Sequence, residues 1–230
     1  MSAIAVHSLV KDYGKFRALA GVDLELGGGQ VVGLLGENGC GKTTLLKVLA
    51  GALTRYRGSV LLDGLPPGPQ SKARVSFLPD VSFLPDNATL DACVRMYRDF
   101  FADFSESHAR DLFDLFGLDT SRKLSTLSKG TREKGQIALA MARKAKVYLL
   151  DEPISGVDPA ARDVLLEAII YNLAPDALVL ISTHLIHDLE PILDAVTFMR
   201  HGQVILTGDV DTLRAEHASS IDTLFRKVYQ

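Results

Sequence analysis

From Val22 to Leu26 the chain alternates Val, Asp, Leu, Glu, Leu, the two-residue period of a half-buried strand. Gly27, Gly28 and Gly29 supply a turn, and Gln30 to Leu35 (QVVGLL) is an apolar run of strand length. A glycine-rich loop follows, and Thr43 to Ala50 (TTLLKVLA) then spaces its apolar residues as a helix does. Pro66, Pro67, Gly68 and Pro69 mark a surface loop. After residue 87 the period lengthens. Val94, Tyr97, Phe101 and Phe104 predict a helix over Leu90 to Phe104 with its aromatics in the core. Ser105 is placed to cap a second helix, in which Ala109, Leu112, Phe113 and Phe116 share a face and Gly117 ends the run. Buried-strand patterns return in VYLLDE from Val147, in ALVLIST and in AVTFMR, and the tail adds a glycine turn, a strand and a last helix or two. The pattern predicts an α/β core with a mostly helical insertion between about 87 and 140, in a single domain over 1–230.

Composition narrows this picture. A chain of 230 residues buries a sizeable core. The net charge of −3 offers no electrostatic footprint for nucleic acid, so no such partner is expected. Arg143, Lys144 and Lys146 read as a solvated helix end. No apolar run approaches the ~18 residues of a membrane span, and the start MSAIAVHSLVKDYG lacks the charged head and long apolar core of a signal peptide. Cys40 and Cys93 stand alone with no metal spacing, as in a reduced cytosolic protein.

The chemistry begins at GENGCGKTT, residues 36 to 44, which fits G-x-x-x-x-G-K-[ST] from Gly36 to Thr43. Glycines let successive backbone N–H groups turn inward around phosphates, and the helix that follows adds its positive end. Lys42 can reach the β- and γ-phosphates, and the Thr43 hydroxyl can ligate Mg²⁺. Cys40 lies within the loop, where a small tolerated residue is the simpler reading, although a helix N-terminus can lower a thiol pKa. Further on, VYLLDE ends an apolar strand in two acids. Asp151 suits a metal-adjacent carboxylate, and Glu152 a general base that activates water. LSKGT, from Leu127 to Thr131, opens a helix whose first turn offers Ser128 and free N–H groups to an anion.

In order and spacing, GENGCGKT, LSKGT, VYLLDE, SGVD and ISTH resemble the motifs of the ATP-binding cassette (ABC) family, the ATPase subunits of ABC transporters. The resemblance runs from about Ile4 to Tyr229. It implies a P-loop NTPase fold with an antiparallel β subdomain, a RecA-like core and the helical insertion. GENGCGKT resembles the Walker A motif, so Gly36, Glu37, Asn38, Gly39, Cys40, Gly41, Lys42, Thr43 and Thr44 would hold the nucleotide. LSKGT resembles the signature motif, which brings in Ser128 and Gly130. VYLLDE resembles Walker B with Glu152 as the catalytic glutamate, Ser155 to Asp158 resemble the D-loop, and His184 resembles the switch histidine. Tyr13 sits where family members stack a ring on adenine.

The family mechanism would pair two cassettes head to tail around two ATP molecules. Lys42 of one chain and Ser128 and Gly130 of the other would hold each γ-phosphate, while His184 positions Glu152 and the attacking water. The partners implied are separately encoded transmembrane permease subunits and a second cassette, identical or related. The chain would then sit in the cytoplasm on the inner face of the membrane. LSKG resembles small bacterial exporter-type cassettes, with Lys129 and Thr131 departing from the usual signature. A cassette protein acting outside transport and an ATP-binding regulatory module without hydrolysis are the competing readings.

One departure concerns VSFLPDVSFLPD, residues 75 to 86, in which six residues occur twice. Two copies of six are too few and too short for a repeat fold. In the family the first subdomain's last strand ends in a glutamine that touches Mg²⁺. Here Asp80 takes that place, and the second copy would form a hinge whose Phe83 and Leu84 face a transmembrane subunit. The alternative, Asp86 as the ligand with residues 75 to 80 displaced, stays open at this point.

Overall fold

The computed structural model describes residues 2–171 and 173–229. Met1, Asn172 and Gln230, which the single-domain reading of 1–230 includes, lie outside the described residues. Strands β1 (Ser2–Tyr13) and β2 (Phe16–Gly27) form a long antiparallel hairpin. Strand β3 (Gln30–Leu35) leaves it for a second sheet, while β4 (Arg57–Leu62) returns to pair with β1, giving the order β2-β1-β4. The second sheet also holds β5 (Val75–Leu78), β6 (Val147–Asp151), β7 (Leu178–Thr183), β8 (Ala195–Arg200) and β9 (Gln203–Asp209). Its order is β5-β6-β7-β3-β8-β9, parallel except for β9. The helices are α1 (Lys42–Leu49), α2 (Pro69–Lys72), α3 (Leu90–Phe100), α4 (Glu106–Leu115), α5 (Lys129–Met141), α6 (Pro159–Tyr171), α7 (Ile186–Leu189), α8 (Val210–His217) and α9 (Ile221–Tyr229).

The continuous apolar strands seen in the sequence are buried on both faces, as parallel strands are. Their two-residue period divides the molecule into two cores. Val32, Leu34, Val147, Leu149, Leu178 and Leu180 pack with α1 and the antiparallel sheet. Val31, Leu35, Tyr148, Leu150, Val179 and Ile181 pack with the helical insertion and the C-terminal helices. Each aliphatic side chain buried this way contributes about 1.5–3 kcal/mol. The predicted insertion is present as α3, α4 and α5 between β5 and β6. Thr89 caps α3 through the Ala92 N–H at 3.1 Å, and Ser105 caps α4 through the His108 N–H at 3.3 Å. Gly117, at φ +64°, follows the end of α4 in the left-handed conformation expected of it.

Three expectations need correction. The first helix stops at Phe100, not Phe104. At Phe101 the backbone leaves the helix and makes a tight turn, closed by the Phe104 N–H on the Phe101 carbonyl at 3.1 Å. The chain then runs beside residues 142–144: the Ser105 N–H meets the Ala142 carbonyl at 2.8 Å and the Lys144 N–H meets that of Asp103 at 3.0 Å. This break lets Phe101 and Phe104 both pack on Tyr97, with ring centres 5.3 and 5.5 Å apart.

Arg143 is not part of a solvated helix end. Its side chain is only 3% exposed. The guanidinium binds both oxygens of Asp103 at 2.9 and 3.0 Å, reaches the carbonyls of Val75, Ala73 and Lys72, and lies 3.9 Å over the Phe101 ring. Lys144 and Lys146 remain exposed. The sequence pattern showed three neighbouring cations, but the planar fork of one finds a buried ring of acceptors that an ammonium cannot match.

Leu84, in the second hexapeptide copy, is 5% exposed and belongs to the core, so only Phe83, 43% exposed, faces outward. The first copy is strand β5 and the second is a loop. That loop is fastened to α5 by the Phe83 N–H on the Gln136 side-chain carbonyl at 3.3 Å and by Asp86 on Arg132 at 2.9 Å.

A second buried ion organises the C-terminus. Glu190, after α7, accepts from the Ile221 N–H at 3.0 Å, from the Arg214 guanidinium at 2.8 and 3.0 Å and from the Asp222 N–H at 3.4 Å. Burial raises its pKa, but the Ile221 N–H, the Arg214 hydrogen bond and charge, and the Asp222 N–H outweigh burial and hold the carboxyl below its usual range. A depressed carboxyl contributes stability above its unfolded pKa and loses it as pH falls. Glu190→Gln is therefore expected to lower stability at neutral pH by about 1 kcal/mol, with the gap to wild type closing below about pH 4; urea unfolding at both pH values measures it. For Arg143→Lys the same method should show a loss of about 2–3 kcal/mol, and a wild-type midpoint would remove Arg143 as the pin of the insertion.

Candidate nucleotide-binding site

Strand β3 is paired on both sides, with β7 and β8, and its carboxyl end opens where the sheet's connections diverge. Ligands of open α/β sheets bind at such a switch point. From Leu35 the chain turns through Gly36–Gly41 into α1. Gly39 and Gly41 have φ of +81° and +117°, which a side chain rarely tolerates. A Cβ on Gly41 would also lie 2.7 Å from the Ala18 carbonyl. The loop is thus wrapped closely against β2 and leads directly into the N-terminus of α1, the kind of end that favours an anion.

An open groove of about 320 Å³ runs over this loop. Asn38, Gly39, Gly41, Lys42, Thr43 and Thr44 line its floor, Tyr13, Phe16 and Ala18 one wall, and Asp80 and Glu152 the far end. Lys42 is 6% exposed, and its ammonium donates to the carbonyls of Gly36 at 2.7 Å and Glu37 at 3.2 Å. Gly36 and Glu37 thus hold Lys42 through main-chain oxygens. Cys40 turns its side chain into the core, and its carbonyl accepts from the Gly202 N–H at 2.8 Å. Burial raises the Cys40 thiol pKa despite the nearby Lys42 charge, so the helix end does not make it a ready thiolate.

The parallel register sets Asp151 of β6 beside Ser182 of β7. Asp151 is 1% exposed. Its Oδ1 accepts from Ser182 Oγ at 2.5 Å and from Thr43 Oγ1 at 3.2 Å, while Oδ2 is buried with no partner. Burial raises its pKa and the charge of Asp80 adds to the rise, against the Ser182 and Thr43 hydrogen bonds. Among the described residues no three His, Cys, Asp or Glu side chains gather into a metal cage. A magnesium ion at phosphates, however, needs only one or two protein oxygens. The Thr43 hydroxyl and an under-partnered buried carboxylate fit that requirement.

Glu152 follows with φ +50°, left-handed for a residue with a side chain. Its N–H is held by the carbonyl and the hydroxyl of Ser182, both at 3.1 Å. Its Oε2 lies 2.8 Å from Nδ1 of His184. The acid and the histidine singled out in the sequence therefore touch. Ser128 caps α5 through the Thr131 N–H at 3.1 Å, and a Cβ added to Gly130 would lie 3.3 Å from the Gly156 carbonyl. Neither lines the Lys42 groove. Asp158 caps α6 through the Ala161 N–H at 3.1 Å and does not line the groove either. Asp80, just past β5, reaches the groove, whereas Asp86 is committed to Arg132 on the surface.

Sequence reading missed three residues. Phe16 pairs with Tyr13 across the β1–β2 turn and stands 61% exposed on the same wall; the short Tyr-Gly-Lys-Phe hairpin was the available signal. Lys11 is buried with its ammonium 5.0 Å from the Tyr13 ring. Ser182, which orients both acids, was visible only as a hydroxyl ending an apolar strand.

The family described as "ABC transporter" matches residues 19–155, from β2 through the Asp151–Glu152 pair. The chain belongs to the ABC transporter family. It is 27% identical over 217 residues to the ABC transporter ATP-binding protein YtrB of Bacillus subtilis, a match covering 93% of this chain and 74% of that protein. It is 27% identical to the lantibiotic transport ATP-binding protein SrtF of Streptococcus pyogenes, covering 90% and 91% of the two chains. A solved ATP-binding subunit of an ABC transporter superposes with a TM-score of 0.89 at 27% identity, over 99% of this chain and 100% of that one. This chain is accordingly an ATP-binding cassette, a transporter subunit whose family hydrolyses ATP to drive transport. Its family and the transport systems named for its relatives imply membrane components as partners. No helix among the described residues is long and apolar enough to cross a membrane.

Proposed function

We propose that residues 1–230 act as one ATPase domain, with the insertion at about 87–140, and that the groove over Lys42 is its hydrolytic site. The observation that carries the reading is the meeting of Lys42, the Thr43–Asp151 pair and the Glu152–His184 pair at one groove. In this reading Tyr13 stacks on the base. The N–H groups from Asn38 to Thr44 cradle the phosphates, and Lys42 moves from the Gly36 carbonyl to the terminal phosphate. Thr43 and Asp151, with Asp80 beside them, would hold Mg²⁺, which would supply charge neutralisation at the phosphate oxygens. Glu152, oriented by His184 and Ser182, takes a proton from the attacking water.

Ser128 and Gly130 lie away from the groove of their own chain, which favours a site completed by a second cassette, identical or related, presenting its Ser128, Gly130 and Asp158. Such sharing would tie hydrolysis to closure. An outward apolar groove of about 330 Å³ offers Phe77, Phe83, Met96 and Phe100 beside Lys72, and Phe100 is 76% exposed. It suits an apolar segment of a separately encoded permease subunit, which would hold the cassette at the cytoplasmic face of the membrane.

Removing the base by Glu152→Gln should trap the closed form. Sedimentation is expected to shift from monomer to dimer with Mg-ATP; a monomer that still binds ATP would point to a different partner cassette. Aspartate is shorter than glutamine and charged, and it adds repulsion toward the phosphates unless Mg²⁺ is present. ATP binding should therefore depend steeply on Mg²⁺, and less so in Asp80→Gln. Superimposable Mg²⁺ titrations of the two proteins would remove Asp80 from the cation's surroundings.

A further inference from the structure

The last helix touches the phosphate loop from behind. Gly36 has no room for a side chain: an added Cβ would lie 2.5 Å from the Met199 carbonyl, 2.5 Å from Cys40 Sγ and 3.4 Å from the Tyr229 hydroxyl. The β8–β9 register shifts between Phe198 and Met199, and the Met199 carbonyl takes the Tyr229 hydroxyl as a donor. The Tyr229 ring is held firmly. It stacks on Phe225 at 4.2 Å and 28°, Phe225 meets the edge of buried Phe198 at 5.5 Å, and the Arg200 guanidinium lies 5.6 Å over the Tyr229 ring. Arg200 also donates to the Val228 carbonyl at 3.2 Å, closing the C-terminal end of α9. The opposite end of α9 is held by Glu190 through the Ile221 and Asp222 N–H groups, in the segment that follows His184.

We infer that α9 braces the two sides of the site against each other and that Tyr229 is a positioning residue for the phosphate loop. It acts through the Met199 carbonyl on Gly36, whose own carbonyl holds the Lys42 ammonium at 2.7 Å. Fixing the Met199 carbonyl fixes the surface on which Gly36 and Cys40 lie. Without the hydroxyl that carbonyl loses a donor that ties it to α9, and the surface under the loop is freer to shift with it. The inference deepens the proposed reading of the groove and rests on it for the nucleotide.

Tyr229→Phe keeps the stacked ring and removes only the hydroxyl. Two readouts apply: the Kd of an N-methylanthraniloyl ATP with Mg²⁺, and N-ethylmaleimide labelling of Cys40 and Cys93 resolved by peptide mass. Both thiols are buried, and Cys93 lies in the other core. Loss of the one hydrogen bond should weaken nucleotide binding about three- to tenfold and speed Cys40 labelling by a similar factor, with Cys93 unchanged. Arg226→Ala, on the exposed side of α9, should alter neither readout. An unchanged Kd and Cys40 rate in Tyr229→Phe overturns the brace. So does equal acceleration of both thiols, which reports general loosening. If the wild-type protein does not bind the nucleotide, the reading of the groove fails, and the contrast between Cys40 and Cys93 still decides the brace.

Discussion

Strands β3, β6 and β7 end level with one another, and the site follows from that register. Leu35 lies opposite Thr183, and Asp151 opposite Ser182. From this alignment the phosphate loop leaves one strand, a buried acid ends the next, and the Ser182 hydroxyl reaches Asp151 and the Glu152 N–H together. A slip of one residue would exchange the faces of a whole strand, moving Asp151 into one core and its apolar neighbours into the groove. The separate apolar sets on the two faces of β6 make that slip costly, because both faces are packed.

Much of this was legible in the sequence, because it depended on local pattern. Gln30–Leu35, Val147–Asp151 and Leu178–Thr183 were apolar runs of strand length, and Gly36–Thr43 carried its own geometric signal. The pairing of Glu152 with His184 was readable only through resemblance, since the two are distant in sequence. What stayed hidden depended on tertiary partners. Arg143 looked like any exposed cation until Asp103, Phe101 and the carbonyls of Lys72, Ala73 and Val75 surrounded it. Leu84 looked like the twin of Leu78 in an outward loop, yet it is drawn inward while Phe83 stays out. Tyr229 had no pattern at all, because its meaning lies in the Met199 carbonyl.

The doubled hexapeptide shows how one string takes two structures. In the first copy Val75 and Leu78 find parallel partners in Val147 and Leu150, and the ladder makes a strand. In the second, Pro79 has interrupted the ladder and no strand among the described residues pairs with it; the N–H of Phe83 turns to Gln136 and Asp86 to Arg132. The first copy aims a carboxylate at the groove and the second ties that segment to α5, so the position of Asp80 and the helix that Ser128 caps are mechanically joined.

The left-handed backbone at Glu152 bears on how such a protein changes over generations. Glycine or asparagine would hold that conformation with less strain, of the order of 1 kcal/mol for a side chain of glutamate's kind. Local stability therefore favours losing the carboxylate. In a lineage released from selection on turnover, random substitution at this codon would drift downhill toward those smaller residues, and the contact with His184 would vanish with it. With glutamate here, the contact with His184 is kept against the preference of the backbone.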